Sequence, residues 1–454
     1  MDETRRLAQC ITDISYKDLS SEVVEKAKLL ILDQLGCQLA FAALPWNEAI
    51  YSYIRDKKGS REESTIIRYG LRTTAEDAAF ANAVFGHGFE MDDTELSSAS
   101  HPGVTIIPPA LAVGEMKNVN GKDFLTAIVV GYDVFIRIGL ATRSMMNRGF
   151  HTTAVLGPLG SAAATSKILK LDANKTLNAL AIAASESGGL AEYTETGGSV
   201  KRAHAGFAAQ SGLRAGLLAQ AGITGPPTAL EGRKGLCQAF ANEYSLEEIT
   251  AGLGREYRML LTGTKPYCCC AAQHSALDAV SEIMKEHVLV PEEIEKIRVG
   301  QNTRDVRAIG NIIVPQDIIS AQFSGRFGIA LRLIQGGNGF HDYSEENLRN
   351  PRILGLSKRT EYYVDDNFEK STSGNAPARV EIHLKNGSIH EWTAQCAKGT
   401  IQNPMTKEEL KDKFRELTKG VLTDNHTEKI IRTVSRLERL DNLQEMCLLL
   451  ASDR

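Results

Sequence analysis

Apolar positions in the first part of the chain recur three and four residues apart. After Ser20-Ser21-Glu22, the series Val24, Ala27, Ile31 and Leu35 falls on one helical face. The serine hydroxyls ahead of it suit backbone N–H groups that a helix start leaves unpaired. The same spacing predicts helices over Ala75–Phe85, Gly121–Leu140, Leu156–Leu169, Asn174–Ser185 and Lys201–Ala219. Several of these are rich in Ala and Gly, which lets helix axes approach closely. A tightly packed bundle is therefore expected for residues 1–265, almost entirely helical, with its central helices buried on most sides.

The pattern changes after Lys265-Pro266. Pro291 to Gly300 reads as a turn running into a short strand. Ala378 to Leu384 alternates with a period of two, and Asn386-Gly387 turns it back into Ser388 to Trp392. Gln316 to Gln335 reads as helical between these strands. Residues 266–395 are thus expected to form a smaller α+β domain. Residues 396–454 return to charged amphipathic helix, Thr406 to Leu450, packing back on the helical domain. The fold class that results is mainly α, a large all-helical domain with a smaller α+β domain.

A chain of 454 residues with 43% hydrophobic content can bury a large core. Its 24% charged residues and formal net charge of -4 lack the basic excess of a nucleic-acid binder, so no nucleic-acid partner is expected. An anionic substrate is compatible with that balance, since a pocket can be locally basic. The N-terminus, Met1-Asp-Glu-Thr-Arg-Arg-Leu, has no signal-peptide core. Apolar runs are interrupted, as by Tyr132, Asp133 and Arg137 between Leu125 and Leu140, so no membrane helix is expected and the protein reads as cytoplasmic. Of the eight cysteines, none forms a CxxC pair, which fits buried free thiols in a reducing compartment rather than a structural zinc site.

Four segments carry candidate chemistry. Glu90-Met-Asp92-Asp93-Thr94 sets three carboxylates within four positions. Facing a pocket, their repulsion would raise at least one pKa, as a general acid needs; a solvated acidic loop or a metal site are the other readings. Ser100-His101-Pro102-Gly103 holds an imidazole on a rigid extended corner, ahead of a helix expected near Ile107. His151, in Phe150-His-Thr-Thr, sits at another helix start and suits carboxylate binding, proton transfer or a buried capping contact. Thr196-Gly-Gly-Ser-Val-Lys201-Arg202-Ala-His204 leads a glycine loop into a helix whose N–H groups suit an anion. Lys201, Arg202 and His204 oppose the helix dipole there, which an anion would offset.

A fifth segment, Lys265-Pro-Tyr-Cys268-Cys269-Cys270-Ala-Ala-Gln-His274, falls at the expected domain boundary. Its thiols suit a nucleophile, soft metal ligands or plain packing; three adjacent side chains on a regular element cannot all reach one metal. No GxGxxG, Walker loop, pyridoxal-phosphate signal or strongly spaced metal motif stands out, so neither cofactor nor metal is expected. Histidines, lysines and acids without a cofactor suit proton abstraction next to a carboxylate, with cations holding the substrate.

In order and spacing, these segments resemble the MmgE/PrpD family over nearly the whole chain. The matching pieces are Asn82 through His87 to Thr94, His101-Pro-Gly103, Phe150-His151, Lys201 to Gly206, Lys265 to His274, Asp33 to Cys37 and Ala321 to Ser324. The resemblance implies a large helical domain made from the N-terminal part plus the C-terminal tail, an α+β lid, a homodimer and a cofactor-free site between domains. It implies that Thr94, His101, His151, Lys201 and Lys265 bind substrate or move protons, with Asp92 or Asp93 nearby. His101, His151, Lys201, Lys265 and Asp92 are accordingly expected to be catalytic. Thr94, Asp93, His204, Cys270 and His274 are expected to bind substrate. Animal-type cis-aconitate decarboxylases carry histidine where Cys270 stands and tyrosine where Phe327 stands; Arg326 is a further departure, read as an extra carboxylate contact. The expected activity is dehydration of a small polycarboxylate such as 2-methylcitrate. Decarboxylation of the cis-aconitate kind, epimerisation and non-catalytic carboxylate binding are the alternatives.

Overall fold

A computed structural model describes residues 2–57, 61–369 and 377–451, with the side chains of residues 195 and 196 left aside. The chain divides into two compact units. The larger comprises Met1–Gly88, Asp92–Thr262 and Thr406–Arg454; the smaller comprises Phe89–Met91 and Gly263–Met405. Two boundaries differ from those expected: residues 263–265 and 396–405 lie with the smaller unit. So does the tripeptide Phe89–Met91, which includes the first acid of the acidic run.

Long helices build the larger unit. Ser20 caps the Ser21–Phe41 helix by accepting the Val23 N–H, as the sequence suggested. The helices Ala75–Gly86, Gly103–Met116, Gly121–Ala141, Thr152–Ile168 and Val200–Ala221 pack together around one core. Small residues set their spacing. A Cβ on Gly157 would come within 2.7 Å of the Ala208 Cβ, and one on Gly212 within 2.3 Å of the Pro158 carbonyl oxygen. Gly121–Ala141 is long and apolar enough to cross a membrane, contrary to the reading of its interrupted sequence, and its apolar window is wholly buried. Arg137 is neutralised there by Asp133 at 2.7 Å, so both interrupting charges are paired. The C-terminal helix Lys407–Thr418 lies against Ser21–Phe41, and Lys413 binds Asp33 at 2.5 Å with both side chains buried.

The larger unit is less uniformly helical than the pattern indicates. Ser64–Thr65 and Arg72–Thr73 form a short antiparallel pair, and residues 222–262 contain only short helices. In the smaller unit, four strands lie in the order Thr360–Val364, Ile294–Gln301, Ala378–Leu384, Ile389–Ala394. The first pair is parallel and the other two are antiparallel, with Val299 opposite Val380 and Val380 opposite Trp392. Gly387 takes a positive φ of 87° in the expected hairpin turn, a conformation glycine adopts without strain. The helices His274–Glu286 and Gly325–Gln335 pack beside this sheet. The stretch read as one helix from Gln316 is two, Ile318–Gln322 and Gly325–Gln335. Ser324 starts the second by accepting the Phe327 N–H.

Candidate active site

The Ala75–Gly86 helix ends where His87 takes up the capping position. Gly86 leaves room there for Gln34, since a Cβ would lie 1.7 Å from its amide nitrogen and force that side chain to shift. His87 is fully buried, and its Nδ1 lies 2.7 Å from Asp92 Oδ2. The same carboxylate oxygen is 3.3 Å from Nδ1 of His101. His101 Nδ1 also lies 2.8 Å from the Asp93 carbonyl oxygen. A nitrogen facing two acceptors must carry the hydrogen, so Nδ1–H donates and Nε2 holds the lone pair. Asp92 thus bridges two imidazoles.

Asp93 grips the same corner through different atoms. Its carboxyl accepts the Gly103 N–H at 3.0 Å and the Tyr132 hydroxyl at 2.7 Å. Burial pushes this acid up to about 7, aided by the charges of Asp92 and Asp33 and opposed by the Tyr132 hydrogen bond. The helix after His101 begins at Gly103 rather than near Ile107, which brings its first N–H within reach of Asp93. The His101 N–H donates to Thr153 Oγ1 at 3.0 Å, tying the corner to the next helix.

His151 occupies the N-cap of the Thr152–Ile168 helix, but its side chain makes no capping hydrogen bond. Its Nδ1 lies 3.0 Å from His204 Nδ1 instead. One ring must donate and the other accept. Burial first, then the charges that His87, Lys201, His204 and His101 carry when protonated, hold His151 well below the ordinary imidazole value. His204 is lowered as well, by burial and His87. The ring centroids of His151 lie 5.9 Å from His87 and 5.3 Å from Tyr193. Gly197 and Gly198 adopt φ of 82° and 105° in the loop before the Val200–Ala221 helix. The first turns of that helix carry Lys201 and Arg202, both buried.

The smaller unit holds the remaining candidates. Lys265 Nζ lies 3.1 Å from Glu90 Oε2, with both side chains only 3% exposed. Cys268 and Cys269 are buried and Cys270 is half-buried. The Cys268 thiol lies 3.1 Å from the Met91 sulfur, and burial raises the Cys269 thiol strongly. His274 starts its helix, with Nε2 3.2 Å from the Cys269 carbonyl oxygen and its ring against Tyr267. Arg326 does not extend toward a carboxylate. It donates to the backbone carbonyls of Gly310 at 2.9 Å and Thr360 at 2.5 Å, bracing the sheet edge.

Of the residues expected from sequence, Asp92, Asp93, His101, His151, His204 and Lys201 gather on the larger unit, with half-buried Thr94 beside Asp93. Lys265, Cys270 and His274 belong to the smaller unit. His87 and Tyr132 had been given no role in a site, and Glu90 had been read only as part of the acidic run. A histidine five residues before an aspartate, at the end of a small-residue helix, is the signal that points to His87. Among the described residues, no group of three or more His, Cys, Asp or Glu side chains is arranged to hold a metal ion.

A mainly helical unit carrying a buried imidazole–carboxylate cluster, with a separate α+β unit, defines a two-domain enzyme class. Residues 5–249 match the MmgE/PrpD N-terminal domain and residues 267–439 the MmgE/PrpD C-terminal domain. The chain belongs to the MmgE/PrpD family and is an enzyme of its lyase kind. It is 28% identical to cis-aconitate decarboxylase of Aspergillus terreus, covering 98% of this chain and 95% of that protein. It is 27% identical to human cis-aconitate decarboxylase, covering 98% and 94%. Mitochondrial 2-methylcitrate dehydratase of Yarrowia lipolytica is 24% identical, covering 94% and 86%.

Proposed function

We propose that the chain is a lyase acting on a small di- or tricarboxylate, and that His101 removes a proton from the carbon next to a carboxylate. The carrying observation is the His101 Nδ1–H facing both the Asp93 carbonyl and Asp92 Oδ2, which leaves a basic Nε2. Asp92 stabilises the imidazolium that forms. Lys201 and Arg202, at the start of a helix after a glycine loop, suit the substrate carboxylates and the enolate-like charge. Within the smaller unit, Lys265 is an ammonium balanced by Glu90, a pair suited to exchanging one carboxylate for another.

For a hydroxy-polycarboxylate such as 2-methylcitrate, the C–H electron pair becomes the new C=C bond as hydroxide leaves and takes a proton to form water. His151 and His204, sharing one hydrogen between their Nδ1 atoms, are the groups suited to orient that hydroxyl. This dehydration is supported by the neutral imidazoles, ready to accept protons. Decarboxylation of a cis-aconitate-like acid is the second reading, favoured by the relatives at 27 and 28% identity. There CO2 leaves, its bonding electrons stay on carbon, and an imidazolium protonates that carbon. Incubating the enzyme in D2O with 2-methylcitrate, citrate and cis-aconitate separates them. Unsaturated product without gas supports dehydration, and released CO2 supports decarboxylation. Neither turnover nor carbon-bound deuterium with any polycarboxylate overturns the proposal.

A further inference from the structure

His87 belongs to no role derived so far, yet it is wholly buried between two functional candidates. Its ring centroid is 5.1 Å from that of His101 and 5.9 Å from that of His151. Its Nδ1 meets Asp92 Oδ2, the oxygen that also faces His101. Its Nε2 is buried with no hydrogen-bond partner among the described residues. Protonating that nitrogen would bury an N–H without an acceptor, which is costly. The nearby charges of Lys201 and Arg202 oppose it too, and His151 and His204 are close enough to feel the charge of a protonated His87. His87 is thereby confined to one form, neutral with Nδ1–H, a standing donor to Asp92.

We infer that His87 is a positioning residue that sets the basicity of His101 by taking up part of the Asp92 charge through a fixed Nδ1–H···Oδ2 bond. The inference deepens the reading in which His101 is the base, and rests on it. Asp92 Oδ2 is hydrogen-bonded by His87 at 2.7 Å and lies 3.3 Å from His101 Nδ1, whose own hydrogen bond goes to the Asp93 carbonyl oxygen at 2.8 Å. Removing the His87 donor leaves more of the Asp92 charge acting on His101. The His101 imidazolium is then better stabilised, and its proton is released at higher pH. The base becomes protonated, and idle, over a wider range.

The test is the titration of His101 followed by NMR in histidine-labelled, ligand-free enzyme, assigned with His101→Gln. His87→Asn keeps an N–H near the Nδ1 position. His87→Leu removes it, and His87→Gln moves it toward the Nε2 position. The expected result is an unchanged midpoint in His87→Asn and an upward shift of about one pH unit in His87→Leu. Should the leucine variant not fold, His87→Gln must shift where His87→Asn does not. The same midpoint in all variants overturns the inference, as does a shift in His87→Asn equal to the others. Because no substrate is present, failure of the polycarboxylate reading is seen separately, as absence of turnover in the unsubstituted enzyme.

Discussion

The acidic run Glu90 to Asp93 serves two regions that treat carboxylates in opposite ways. On the larger unit Asp92 faces two imidazoles, at 2.7 and 3.3 Å. On the smaller unit Glu90 faces the Lys265 ammonium at 3.1 Å. An imidazole gives up its proton near neutral pH and an ammonium about four units higher. The first arrangement is therefore suited to passing protons, and the second to holding balanced charge. The kind of partner, rather than the number of acids, decides what each carboxylate does.

The sharpest way to break this comparison is to remove the base. His101→Gln is expected to lower kcat/KM by about 10²- to 10⁴-fold while the fold persists, since the amide keeps polar contacts but accepts no proton. Carbon–deuterium exchange and product formation measure it. Retained turnover would show that the cluster does not handle the proton.

The next effect falls on the smaller unit. Lys265→Met removes the ammonium that faces buried Glu90 at 3.1 Å and is expected to cost about 3–5 kcal/mol of stability. Adding Glu90→Gln should recover most of it. Denaturant unfolding of the single and double variants checks this. Equal stability of Lys265→Met and the unsubstituted chain would mean that the pair holds no balanced charge.

A third effect follows from Asp93, whose folded pKa is pushed up to about 7. The unfolded chain releases this proton near pH 4 and the folded chain keeps it. Its contribution to stability is complete below about pH 4 and falls as pH rises toward 7, by up to about 1.4 kcal/mol per pH unit. Asp93→Asn should flatten that stretch of the stability profile. Unfolding curves across this pH range for both proteins give the comparison, and parallel slopes would contradict a protonated Asp93.

Much of this was legible in the chain because it depends on local periodicity. Gly121–Ala141 and Ala173–Ser185 fall within two residues of the patterns that predicted them. The Asn386-Gly387 turn carries its own chemistry and matches the hairpin observed. What was not legible depends on where the chain goes next. The acidic run read as one cluster, because nothing in Glu90-Met-Asp92 announces that Phe89–Met91 departs with the smaller unit. The partnership of Asp93 with Tyr132 spans helices that only packing brings together. Arg326 looked like a spare cation, and its carbonyl partners Gly310 and Thr360 become apparent only once the strand is in place.

The smallest expected effect asks whether the departures from the decarboxylase pattern matter to folding. Phe327 is 1% exposed, and its ring lies 6.3 Å from that of Tyr343. Phe327→Tyr adds a hydroxyl to this packed interior. If the hydroxyl finds no acceptor, it costs about 1–3 kcal/mol, the price of desolvating it. Thermal unfolding should therefore fall modestly, with kcat for the native substrate unchanged at a temperature where both proteins are folded. Lower stability with unaltered kcat keeps Phe327 with the charge-holding side of the comparison, as packing. A changed reaction outcome, such as newly released CO2, would instead make position 327 a determinant of the chemistry and move the boundary between the two regions.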